Sequence, residues 1–445
     1  MTANVSSEVE KSYPFRQFLL IWLGQSVSLL GSQIVQFALI WYLTAETGSG
    51  TVLATATIVG LLPQVLLGPI AGALVDRWNR RWVMFWSDTF IAVATLGLLF
   101  LFLSGNIAIW HIYALMFVRA LGGAFHNPAM SASTALMVPP AHLTRIAGFN
   151  QMIQGGLNII SAPLGALAVT LLPMESVLLI DVLTAAFAVV PLLFIAVPQP
   201  PVKQDTEGLP LVRASVLSDL KQGFRYVWEW RGLRLLILMA VVLNFVLSPV
   251  SALLPLLVVN HFGGGPMQLG LIESGFGIGI FAGGLLLGVW GGFKRKMFTS
   301  LSGMLGISVG IALLGLAPAD MFVLAVVGSV IAGMTQPLAN GPIIATLQER
   351  VEPDMQGRVM TLLISGATAA APLGLIIAGP LSDVVGVQPL FVGAGIITAV
   401  TLVYAFSQPD LLNLDQTGEG GDTTPPDIAA SVTKSVPVAG EFDNV

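Results

Sequence analysis

Apolar residues run along this chain in twelve long blocks separated by short polar breaks. The blocks cover 17–44, 51–75, 82–104, 108–136, 144–171, 176–197, 234–259, 267–291, 297–317, 321–346, 358–382 and 386–407. Each supplies the roughly 20 helical residues that cross a hydrocarbon layer about 30 Å thick. Helix is the form they must take, because a lone strand in lipid leaves its N–H and C=O groups unpaired. The pattern predicts an all-α membrane protein with twelve transmembrane helices. After the sixth block comes a polar, proline-rich linker, PQPPVKQDTEGLP, and then SVLSDLKQGFRYVWEWRG. In the latter, Leu217, Leu220, Phe224, Val227 and Trp228 share a helical face, with Lys221, Arg225 and Glu229 off it. This stretch reads either as an interfacial helix on the membrane surface or as a helix packed on the protein itself. The chain thus divides into an N-terminus (1–16), a six-helix half (17–197), a linker (198–233), a second six-helix half (234–407) and a tail (408–445).

Composition agrees: 10% of residues are charged, against about 25% in soluble domains. The net charge of −5 belongs to the tail, where seven acids against Lys434 from Gln408 onward give −6 and leave +1 on the rest. Rich in Pro, Thr, Gly and Asp, the tail reads as disordered. Of the 19 Lys and Arg residues, 18 fall on one side of the twelve-helix map and Arg119 lies inside the fourth block. Basic residues collect on the cytoplasmic side, so both termini and every basic loop are expected in the cytoplasm, with the chain in the cell membrane. The N-terminus lacks a short apolar core with a small-residue cleavage site, so the first helix is expected to be retained. With no cysteine, disulfides, thiolate metal sites and cysteine nucleophiles are excluded.

Charge inside a membrane helix costs about 2.5 to 3.5 kcal/mol even on a mild scale, so each instance needs a reason. Arg119 lies about 16 Å deep at 1.5 Å per residue, near the midplane. It suits binding an anionic group, biasing a nearby carboxyl, or tying helices together. Asp181 and Glu273 sit at similar depths in the two halves. A carboxyl among apolar side chains favours its neutral form, so either suits proton uptake and release, or hydrogen bonding between helices. Asp88, one to two turns from Arg80 and Arg81, is expected to pair with them. Polar stripes run along the first block (Gln25, Ser28, Ser32, Gln36) and the fifth (Asn150, Gln154, Asn158). With His126, Asn244, Gln336 and Asn340 they are the candidate lining of a substrate cavity between the halves, or inter-helix hydrogen bonds. The four histidines show no metal spacing, and neither GFGIGIFAGG nor GISVG has the strand context of a dinucleotide site or a nucleophile elbow. No metal, cofactor or enzymatic site is expected.

The chain repeats itself. APLG recurs at 162–165 and 371–374, and glycine steps Gly68 to Gly72 and Gly284 to Gly288 each run into a basic loop, as if closing a tightly packed helix. The first of these loops, GALVDRWNRR, resembles the signature loop of the major facilitator superfamily, with Gly72, Asp76, Arg77, Arg80 and Arg81 in register. Asn79 stands where that family usually has Gly and tolerates a left-handed turn. GQSVSLLGSQIVQFAL and LLIDVLTAAF look like the drug-proton antiporter-3 group, which includes macrolide-efflux and enterobactin-export proteins. GGLNIISAPLGA is similar to the antiporter motif of exporters, with Gly156, Pro163 and Gly165 in place.

The resemblance implies two pseudo-symmetric halves and alternating access. It also implies a latch in which Asp76 meets the N-terminus of the eleventh transmembrane helix and Arg77 bonds across the same seam. The expected function is proton-driven export of a hydrophobic or amphipathic small molecule, with Asp181, Glu273 and Arg119 as coupling candidates. Partners would be substrate, protons and lipid, with no nucleic acid, and the protein is expected as a monomer. An importer on the same fold and a non-transporting receptor or scaffold are the alternatives.

Overall fold

A computed structural model describes residues 15–199 and 216–416. Its helices are α1 (Phe15–Thr47), α2 (Gly50–Val75), α3 (Arg80–Leu103), α4 (Ile109–Met137), α5 (Pro140–Leu171), α6 (Met174–Phe194), α7 (Val216–Glu229), α8 (Arg231–Asn260), α9 (Pro266–Trp290), α10 (Lys296–Leu316), α11 (Phe322–Arg350), α12 (Pro353–Val385), α13 (Val387–Phe406) and α14 (Pro409–Leu412). Eleven of them are long and apolar enough to cross a membrane. The twelfth crossing is α4, made more polar by Arg119, His126 and Asn127 and held between α2 and α3. Apolar side chains such as Phe100, Phe187, Val323 and Val400 point outward, as lipid requires.

Local signals set the helix ends. The Ser49 hydroxyl accepts from the Val52 N–H at the start of α2, and Gly291, at φ 77°, closes α9. Asn79 caps α3 by accepting from the Arg81 N–H at 3.1 Å. Its φ of −69° corrects the expected left-handed turn, because a capping residue is extended.

The two halves pack alike. In the first, α1 packs on α5 and α6, α4 on α2 and α3, and α3 on α6. The second repeats each pairing, with α8 on α12 and α13, α11 on α9 and α10, and α10 on α13. The repeated APLG makes equivalent contacts: a Cβ on Gly165 would lie 2.8 Å from Phe37 of α1, and one on Gly374 would lie 2.0 Å from the Phe245 carbonyl of α8. Side by side, the halves share one apolar cluster at one end, joining Leu39, Leu43 and Ala162 to Leu253, Leu257, Leu269 and Ile272. At the other end, which carries the basic loops, each half has its own cluster. Contact between the halves runs through α5–α9 and α2–α12, with α8 against α1 and α2. A Cβ on Gly277 would come 2.7 Å from the Asn158 carbonyl and one on Gly270 would come 2.9 Å from the Ala166 Cβ, so glycine lets α9 lie directly on α5. Gly275, Gly279 and Gly283 instead face α11.

Gly68, Gly72, Gly284 and Gly288 have open space around them, contrary to the tight packing expected of these steps, because the halves diverge at the basic end. Below them, α7 combines both sequence readings. Tyr226, Val227 and Trp230 are buried in the second half's cluster, while Phe224 and Trp228 stack on each other at 5.4 Å and stay exposed. The side chains of Leu217 and Leu220, the rest of the linker, residues 1–14 and residues 417–445 lie outside the described residues. The start of the tail is folded rather than disordered. Leu411 and Leu414 are buried, Asp410 pairs with Arg231 at 3.0 Å, and Asp415 accepts from the backbone N–H of Lys296 at 2.5 Å, so the second half fixes it through one ion pair, one helix-start amide and apolar packing.

Gly277→Leu is expected to part α5 from α9, lengthening a spin-label distance across that contact while the melting temperature changes little. Gly310→Leu, whose Cβ would meet the Gly328 carbonyl at 2.5 Å inside the second half, is expected to destabilise the fold by about 1–3 kcal/mol, read as a lower melting temperature in detergent. Equal thermal destabilisation by both would contradict the assignment of the two contacts.

Candidate functional site

The polar stripe of α1 faces a cavity of about 950 Å³ within the first half. Gln25, Ser28, Ser32 and Gln36 line it from α1, Asp88 from α3, Arg119 and His126 from α4, and Asn150 and Gln154 from α5. α2 adds Gln64, which the sequence reading did not single out. The lining continues to Trp22 and Asn150, where the Trp22 Nε1–H donates to Asn150 Oδ1 at 2.5 Å, toward the basic end.

Two polar centres organise this half. In the deeper one Asp181 accepts from Arg119 Nη1 at 2.6 Å, Ser32 Oγ at 2.8 Å and Thr95 Oγ1 at 3.1 Å. Arg119 Nη2 donates to the Ser32 carbonyl at 2.8 Å, so one network ties α1, α3, α4 and α6 together. The Asp181 side chain is 2% exposed, and its charge is answered entirely by protein.

The second centre is Asp88, which the sequence assigned to Arg80 and Arg81. Instead Asp88 Oδ2 accepts from Gln25 Nε2 at 2.8 Å, and Oδ1 lies 3.6 Å from His126 Nε2, both beside the cavity. Eight residues up α3 is about 12 Å, and the arginines are engaged elsewhere. Arg81 donates to the Leu192 and Leu193 carbonyls at 2.5 Å each, at the end of α6, and Arg80 lies 3.5 Å from Asp76. With Arg119 and Asp181 paired to each other, Asp88, Gln25 and His126 form a separate polar group at the cavity wall.

The motif loop is disengaged. The Asp76 side chain is 74% exposed and does not reach α12, and Arg77 lies beside Trp78, Trp82 and Trp86 at the surface. From the second half, none of Asn244, Gln336 and Asn340 lines the cavity. Asn244 donates to its own helix at Ala240 O (2.9 Å), Gln336 is half-buried and Asn340 is exposed. Asn158 is also exposed outside the cavity, its backbone against Gly277. In the antiporter-like motif Gly156 has open space, Pro163 lies within α5, and Gly165 meets α1.

Glu273 is not brought to the other candidates. It sits half-buried on α9 between Gly270 and Gly277, the glycines that touch α5, and among the described residues it has no hydrogen-bond or ion-pair partner. Asp383 also escaped the sequence reading: at the end of α12, it bonds to the start of α2 in the other half. A signal for it was present, since GPLSD at 379–383 echoes GALVD at 72–76.

The sequence profile of the Major Facilitator Superfamily matches residues 21–361 and 236–439. Macrolide efflux protein A of Streptococcus pyogenes is 34% identical over 381 residues, covering 85% of this chain and 92% of that protein. Multidrug efflux pump Tap of Mycolicibacterium fortuitum is 27% identical over 415 residues, covering 89% and 97%. Among solved structures, the nucleoside transporter NupG superposes with a TM-score of 0.66 at 12% identity, covering 87% of this chain and 99% of that one. A bacterial homologue of the human lysosomal transporter Spinster, in an inward-facing conformation, gives 0.66 at 15%, covering 93% and 100%. At such identities the two structures bear on the fold alone.

Arg119→Leu or Asp181→Leu alone is expected to destabilise the protein by about 3 kcal/mol or more, since each strands a buried charge. Combining them should recover most of that loss, and thermal unfolding in detergent checks it. Additive losses would show that the pair is not the coupled unit described.

Proposed function

Because this chain belongs to the major facilitator superfamily, we propose that it exports a hydrophobic or amphipathic small molecule in exchange for protons, by alternating access. Its relatives are efflux proteins for macrolides and multiple drugs, which supports the direction and the substrate class. The clustering of Lys and Arg in the loops at the basic end of the bundle supports an orientation with that end, and both termini, in the cytoplasm. The halves share one apolar cluster at one end and keep separate clusters at the basic end, which on this orientation supports an inward-facing state with the cavity open to loading.

The observation that carries proton coupling is Glu273, a carboxyl without a partner among the described residues, beside the α5–α9 seam. Closing α9 onto α5 desolvates this group, and the neutral acid is the form such a setting accepts. The return from outward-facing to inward-facing therefore takes a proton from outside. Asp181, answered by Arg119 and two hydroxyls, acts as a structural tie rather than a carrier. Asp88 and His126 give the loaded cavity its electrostatic preference, and the amphipathic lining takes the apolar body of the substrate. In the outward-facing state Asp76 reaches the N-terminus of α12, whose dipole favours a carboxylate.

Proteoliposomes with an imposed pH gradient and a panel of macrolides test this reading. Wild type is expected to move substrate against its gradient when ΔpH is present. Glu273→Gln should lose the ΔpH dependence, and Asp88→Asn should lower the rate at least tenfold, about 1.4 kcal/mol. Transport indifferent to ΔpH in wild type, or ΔpH dependence retained by Glu273→Gln, would overturn proton coupling through this residue. Uptake in the opposite sense would make the protein an importer.

A further inference from the structure

The helix pair α2 and α12 crosses the boundary between the halves, and each of its members ends in the same pattern. Gly72-Ala-Leu-Val-Asp76 closes α2 at the basic end, and Gly379-Pro-Leu-Ser-Asp383 closes α12 at the opposite end. A carboxylate at the C-terminus of its own helix sits at the unfavourable end of that helix's dipole. Its placement there is explained by what it touches across the seam. Asp383 Oδ1 accepts from the Gly50 N–H at 2.5 Å, and Oδ2 accepts from the Thr51 N–H at 3.1 Å. Oδ2 also accepts from the Thr51 hydroxyl at 2.6 Å and the Ser49 hydroxyl at 3.0 Å. Two otherwise unpaired N–H groups at the first turn of α2 and two hydroxyls thus converge on one carboxylate from the other half.

The approach depends on glycine. A Cβ on Gly50 would lie 1.7 Å from the Ser382 hydroxyl and one on Gly379 would lie 2.7 Å from the Ala54 Cβ, so neither helix tolerates a side chain at the contact. The other end of the pair is in the opposite condition. Asp76 faces solvent, and Gly68 and Gly72 have no neighbour.

We propose that Asp383 is the extracellular latch of the transport cycle, holding the inward-facing state by capping α2 in trans, and that Asp76 is its mutually exclusive counterpart at the cytoplasmic end. This rests on the alternating-access reading and on the orientation given above. An Asp at the C-terminus of one helix meets the N-terminus of the other at each end of an antiparallel pair, and rocking about the seam lets one contact form as the other breaks. The ends are not equal. α2 offers Asp383 two N–H groups and two hydroxyls, whereas α12 begins with Pro353, which has no N–H, and Asp354, a like charge for Asp76. The outer latch is the stronger, so the inward-facing state is the resting one. Asp383 itself is exposed, and water competing for its oxygens keeps the latch breakable.

The chain has no cysteine, so label pairs can be introduced cleanly. Asn106→Cys with Asp320→Cys reports on the extracellular end, and Arg145→Cys with Lys294→Cys on the cytoplasmic end. Distances are measured by double electron–electron resonance on the full chain in nanodiscs, without substrate or pH gradient. In wild type, the short extracellular distance is expected to dominate. Asp383→Asn, whose amide confronts the α2 N–H groups with a donor, should shift the ratio of long to short extracellular distances about tenfold and shorten the cytoplasmic distance, with the melting temperature nearly unchanged. Asp383→Glu should restore part of the short-distance population. Thr51→Val, which removes one hydroxyl donor and leaves the carboxylate in place, should move the ratio the same way by less. Unchanged distances in both Asp383→Asn and Thr51→Val would overturn the latch, as would a melting loss without redistribution. Because substrate and a pH gradient are absent from this measurement, made at one fixed pH, failure of the export reading would leave its outcome intact.

Discussion

Charge inside the hydrocarbon layer has to be answered by protein groups or by water, and three embedded carboxyls of this chain meet that demand in different ways. Asp181 is answered wholly by protein, and the cost of burying it is offset by binding four helices into one unit. Asp88 is answered partly by Gln25 and partly by a cavity large enough for water or a ligand. Among the described residues Glu273 has no partner, it does not line that cavity, and it stands beside the contact between the halves. The gradation runs from a carboxyl matched wholly by protein, through one shared with a cavity, to one unmatched beside the seam, and the proposed coupling through Glu273 rests on the last.

The same seam is built in a way that suits the proposed motion. Where the halves touch, glycines bring backbones together and apolar side chains form a single shared cluster. Where they diverge, each half keeps an intact cluster of its own, so separation exposes little that was packed. A contact between backbones and hydrogen-bonded helix ends can be exchanged for a similar one without dismantling either half. On the proposed alternating-access cycle, the open space around Gly68, Gly72, Gly284 and Gly288 would serve as packing surface in the other conformation.

Much of this was legible in the chain. Twelve apolar blocks and the placement of the basic residues sufficed for the helices and the two halves, because in lipid both are dictated by backbone hydrogen bonding and by charge. Individual partners were harder. Arg119 and Asp181 stood out as charges, but their union depends on how α4 and α6 are rotated about their axes, which apolar periodicity in a helix surrounded by lipid and protein leaves open. Asp88 was paired with the nearest arginines in sequence, whereas Arg81 found free carbonyls at the end of α6. Asn244, Gln336 and Asn340 carried a polar signal like that of Gln25 and Gln36, yet the structure does not bring them to that cavity, and Asn244 bonds within its own helix. Asp383 lay in an exposed, ordinary-looking helix end, where only its echo of the Asp76 motif marked it.

The central claim is that the α5–α9 seam closes on a neutral Glu273. Spin labels at Ile160→Cys and Leu271→Cys, both on exposed positions beside that seam, measure the claim directly when the distance distribution is followed against pH. The account predicts a closed seam at low pH, a growing open population as pH rises and Glu273 ionises, and no such dependence in Glu273→Gln. A distribution that ignores pH in the wild-type protein, or one that opens on acidification, would contradict it.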